Sequence, residues 1–63
     1  IKKRIKMNEL FEILNKKYGL EELVEGNLSI DVVLSDIEVI DFLSCSKYRC
    51  EDVEDYILKN IFN

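Results

Sequence analysis

Gly19 and Gly26 are the only glycines in this 63-residue chain, and it has no proline. Without proline nothing forces a helix to break, and long stretches are free to coil. The apolar residues recur at spacings of three and four, the rhythm of a helix with one buried side. Together these features predict an all-α fold, a small bundle of four to five helices. A chain this short forms one domain and buries about 60% of the surface it exposes when unfolded. The expected division is a basic N-terminal extension or helix start over residues 1–7 and a single helical domain over 8–63. The chain begins at Ile1 rather than Met, as a piece of a longer protein would.

The first helix reads most clearly. Asn8 is the expected N-cap and Glu9 favours the first turn. Leu10, Phe11, Leu14 and Tyr18 form the apolar side, with Ile13 widening it. Ile5 continues the spacing, which extends the helix back through residues 1–7. Lys16 and Lys17 suit the C-terminal end, and Gly19 should close it in a left-handed cap, with Leu20 packing back. A short helix follows, with Leu20, Leu23 and Val24 inward, ending at Gly26-Asn27. In "LSIDVVL" the β-branched residues favour a strand, but a lone strand has no partner. A helical turn capped by Ser29 is the expectation.

"SDIEVIDFL" holds three carboxylates among five apolar residues. Ser35 and Glu38 have capping-box spacing, and Asp36 complements the helix dipole. Ile37, Ile40 and Leu43 are the expected buried stripe, with Asp41 at its margin. The acids are thereby explained without catalysis. The last helix places Val53, Tyr56, Ile57 and Ile61 on one side, with Glu51, Asp52, Glu54 and Asp55 near its start and Lys59 near its end. Val39, Phe42 and Phe62 are the apolar residues least needed inside; in so small a bundle Val39 and Phe42 are expected to be core, and if exposed they would be candidate contacts.

Charge and side-chain inventory narrow the function. Residues 1–17 carry six basic groups against two acidic, and residues 18–63 carry three against eleven. An acidic body repels phosphate backbones, leaving Lys2, Lys3, Arg4 and Lys6 as the one weak nucleic-acid contact. There is no histidine to act as a general base or metal ligand. Cys45 and Cys50 alone cannot complete a zinc site. A disulfide between them needs the intervening chain to turn back, so reduced thiols in a cytoplasmic or otherwise intracellular protein are expected. No apolar run approaches the roughly 20 residues that span a bilayer. The expected function is a non-catalytic protein–protein interaction module, docking on a partner or on copies of itself, with no enzyme activity, cofactor or metal. The interaction candidates are Asp31, Asp36, Glu38, Asp41, Val39 and Phe42.

"LEELVEGNLSID", "VLSDIEVIDFL" and "YILKNI" together resemble the sterile alpha motif (SAM) domain over residues 8–62. The resemblance implies a five-helix bundle acting by protein–protein contact. Members that self-associate set a basic start of the last helix against an acidic mid-region. Here Glu51, Asp52, Glu54 and Asp55 make that start acidic, so the resemblance implies an acidic mid-region facing a basic partner instead. "DIEVIDFL" and "DVEDYI" are similar to acyl carrier protein helices. Ser35-Asp36-Ile37 then puts Asp36 at the position of the phosphopantetheine serine, implying at most a degenerate carrier-like domain.

Overall fold

The computed structural model describes residues 5–62. They form five helices: α1 (Met7–Tyr18), α2 (Glu21–Glu25), α3 (Ile30–Leu34), α4 (Ile37–Cys45) and α5 (Cys50–Ile61). No strand occurs among the described residues. The all-α bundle expected from the apolar spacing is therefore the fold. α1 and α3 each pack against both α4 and α5. The core between them is Leu10 and Leu14 of α1, Leu20, Val33 of α3, Val39 and Phe42 of α4, and Val53 and Ile57 of α5. Burying each such side chain contributes about 1.5–3 kcal/mol.

α1 starts earlier than its expected Asn8 cap. Lys6 is the N-cap, in extended conformation, and the Glu9 carboxylate accepts from its backbone N–H at 2.7 Å. Lys6 has no oxygen to return the bond, so only half of a capping box exists. The helix does not run back through residues 5–6, although Ile5 packs against the core as its spacing suggests. Residues 1–4 of the basic cluster lie outside the described residues.

Both glycines act as anticipated. Gly19 (φ 70°) closes α1, donating to the Asn15 carbonyl at 2.8 Å, and Gly26 (φ 83°) closes α2. Leu20 is fully buried and Leu23 half-buried, but Val24 is exposed, so the inward side of α2 is narrower than expected. Five-residue helices are too short to persist alone. α3 is held by its cap: the Asp31 N–H donates to Ser29 Oγ at 3.3 Å. Its Val33 is buried in the core.

α4 departs from expectation in two ways. Ser35 does not cap it. Ser35 closes α3 instead, its N–H donating to Asp31 O (3.1 Å) and Val32 O (3.3 Å) and its hydroxyl to Asp31 O (2.8 Å). Asp36 is the N-cap, accepting from the Glu38 N–H at 2.9 Å. The buried stripe is also different: Ile37 and Ile40 are 59% and 52% exposed, whereas Val39 and Phe42 are 0% and 5% exposed. α5 behaves as read, with Val53 and Ile57 buried, Phe62 exposed, and Tyr56 meeting Phe11 of α1 edge-on at 5.8 Å.

Candidate interaction surface

The rotation of α4 is set at its N-cap. Asp36 is only 9% exposed. Its carboxylate accepts from the Tyr18 hydroxyl and pairs with the Lys17 ammonium at 2.9 Å, both from the last turn of α1. A carboxylate held by a phenol, an ammonium and a backbone N–H is stabilised in its charged form. The Tyr18 hydrogen bond, followed by the Lys17 and Glu38 bonds, outweighs burial and holds Asp36 below the ordinary aspartate value. The same contact raises Lys17 and Tyr18, each by its hydrogen bond to Asp36. Val39 and then Phe42 and Leu43 follow Asp36 at helical spacing. Pinning Asp36 to α1 therefore turns these three toward the core and Ile37 and Ile40 away.

That geometry redistributes the sequence candidates. Val39 and Phe42 are core and offer no surface; Phe42 stacks on Tyr48 at 5.7 Å with rings 15° apart. Asp36 is spent on α1 and is not a free carboxylate. Asp31 and Asp41 are exposed and Glu38 is partly so. At about 100° per residue, Ile37, Ile40, Asp41 and Ser44 share the outward side of α4. All four are exposed, and the Ser44 hydroxyl turns back to donate to the Asp41 carbonyl at 2.8 Å. The structure thus brings Asp41 together with two isoleucines that the spacing argument had assigned to the interior.

The stretch of chain that carries this side is acidic, and Lys17 of α1, paired with Asp36, stands at the start of α4. From Leu20 to Ser46 there is no lysine or arginine and there are seven carboxylates. Asp36 alone among them forms an ion pair within the described residues. Glu22 pushes Glu25 above the ordinary glutamate value, first by hydrogen bonding and then by repulsion. Of the six large apolar residues exposed among the described residues, four lie on this stretch: Val24, Val32, Ile37 and Ile40.

No group of three or more candidate metal ligands occurs among the described residues. Cys45 and Cys50 are free thiols, the first half-buried and the second exposed. The outer side of α1 borders an open depression lined by Ile5, Glu9, Glu12, Ile13, Asn15 and Lys16, with no nucleophile in it. No described helix is long and apolar enough to cross a membrane. No family model, curated protein or solved structure matches the chain, so the resemblances to SAM and carrier domains rest on the residues quoted for them.

Proposed function

We propose that this domain is a non-catalytic protein–protein interaction module that docks through the outward side of α4. The observation that carries the reading is the pair Ile37 and Ile40, both more than half exposed on one turn of a helix whose other side is locked into the core. Water contact at two adjacent isoleucines is unfavourable, and covering them would release about 25 cal/mol per Å². The lack of histidine and of a metal-ligand cluster among the described residues supports action by surface. Five helices with short central members support the SAM-like reading as part of the same proposal. The two free thiols support a reducing, intracellular setting. A carrier role has less support, because Asp36 occupies the attachment position and is buried against α1.

Position-specific crosslinking tests the role. A photo-reactive residue at position 40 should yield a discrete adduct in an extract of the source cells, and one at position 12 on the outside of α1 should not. Equal labelling at both positions, or none at 40, would refute the assignment.

A further inference from the structure

The docking reading leaves the partner's chemistry open, and the distribution of charge narrows it. Resting on that reading, we infer that the outward side of α4 is built to receive a basic amphipathic helix from another protein. Its apolar residues would cover Ile37 and Ile40, and its lysines or arginines would lie beside Asp41 and Glu38. Three observations converge on it.

The first is spacing. Ile37, Ile40 and Ser44 follow one another at three and four residues, the seam along which two helices pack side by side. Ser44 is small and its hydroxyl is already bonded to Asp41, so the end of the seam admits close approach without stranding a polar group. The second is flanking charge. Asp41 lies one turn from Ile37, where a carboxylate beside a helical seam selects a cation on the partner. The third is the absence of any basic side chain between Leu20 and Ser46. An acidic helix, a nucleic acid or an anionic lipid surface would meet seven carboxylates along that stretch, and the one cation at the start of α4, Lys17, is already paired with Asp36. The chain's own Lys2, Lys3, Arg4 and Lys6 have the matching sign, which makes a second copy the competing occupant. Ile5 of that segment, however, packs against its own core, so the segment does not offer an intact apolar side.

The test uses isotope-labelled protein titrated with three peptides of about 14 residues, or about four helical turns. One is a lysine/leucine amphipathic helix. The second has the same composition with the leucines scattered. The third replaces lysine with glutamate. At about 0.15 M salt the first should shift the amides of Ile37, Ile40 and Asp41 saturably. Ile37→Ser with Ile40→Ser should weaken it by about tenfold or more, and Asp41→Asn should reduce its salt dependence. Both changes are on the surface, and an unchanged amide spectrum without peptide confirms folding. Equal binding of the scattered or glutamate peptide, or shifts centred on Glu51–Asp55 of α5, would overturn the inference. A dimer of the protein alone that Ile40→Ser disperses would place a second copy on this side and overturn it equally. Silence from all peptides, with crosslinking at position 40 intact, sinks the basic-helix assignment and leaves docking standing. Loss of both removes both.

Discussion

Asp36 shows how one side chain does three jobs at once. It caps α4, pairs with Lys17 and accepts from Tyr18, so a single carboxylate ties the end of α1 to the start of α4. Asp36→Ala should cost about 2 kcal/mol, combining a lost N-cap with a lost charged hydrogen bond. Urea unfolding at neutral pH measures it. The pH dependence follows from the directions. Asp36 is held below its ordinary value, so its stabilisation is complete above the unfolded value of about 3.9 and disappears as pH falls through the lower, folded value. Lys17 and Tyr18 are raised, so their share is complete below their ordinary values of about 10 and fades as pH rises through the raised ones. The difference between wild type and Asp36→Ala should accordingly be flat between about pH 5 and 9 and shrink at both ends. Shrinkage already near pH 6 would contradict the contact. Gly19 is the other decisive position. A Cβ there would meet no atom within 4 Å, so the about 1 kcal/mol expected for Gly19→Ala is backbone strain at φ 70° alone.

At the scale of the element, α4 is the informative helix because six of its nine residues are apolar and they fall on more than one side. Ile37–Ile40–Leu43 and Val39–Phe42–Leu43 both satisfy helical spacing, so periodicity cannot choose between them. α1 and α5 are strongly amphipathic, and their buried residues were legible for that reason. The choice in α4 is made by Asp36, whose partners lie 18 and 19 positions earlier in the chain. The one local clue was competition for the cap: Asp36 is as good an N-cap as Ser35, and Val39 stands one turn from it. Two pairs of variants check the rotation. Ile37→Ser and Ile40→Ser should each change stability by less than about 0.5 kcal/mol. Val39→Ala should cost about 1–3 kcal/mol and Phe42→Ala about 3–5 kcal/mol, by lost burial and the cavity left behind. Denaturant midpoints at constant m-value would settle the matter, and the reverse order would refute the assigned facing.

For the molecule as a whole, the core is one cluster drawing on four helices, with Leu20 beside them. α2 contributes no fully buried residue and α3 contributes one, so neither short helix is expected to persist without the others. Helicity and the tyrosine near-ultraviolet signal should therefore disappear in a single coincident transition in urea. An early loss of helicity alone would show that α2 and α3 unfold separately. The surface is divided by charge on the same scale: the stretch from α2 through α4 is wholly acidic, while lysine and arginine lie before and after it. That segregation leaves the solvent-facing isoleucines inside a negative field, and it is the basis of the partner chemistry inferred above.

The apolar rhythm, the absence of proline and the two glycines were enough to determine helices, their approximate C-terminal ends and the left-handed cap at Gly19, because each depends on neighbours within one turn. The acidic bias of the middle of the chain was equally plain, since charge needs no fold to be counted. Which side of α4 faces water depended on a contact between α1 and α4, and local spacing fits either choice. Only the tertiary structure could therefore move Ile37 and Ile40 to the surface and leave the core side of α4 to Val39 and Phe42. The physical reason is that a buried carboxylate must find its partners wherever the fold brings them, and the helix that carries it turns to suit.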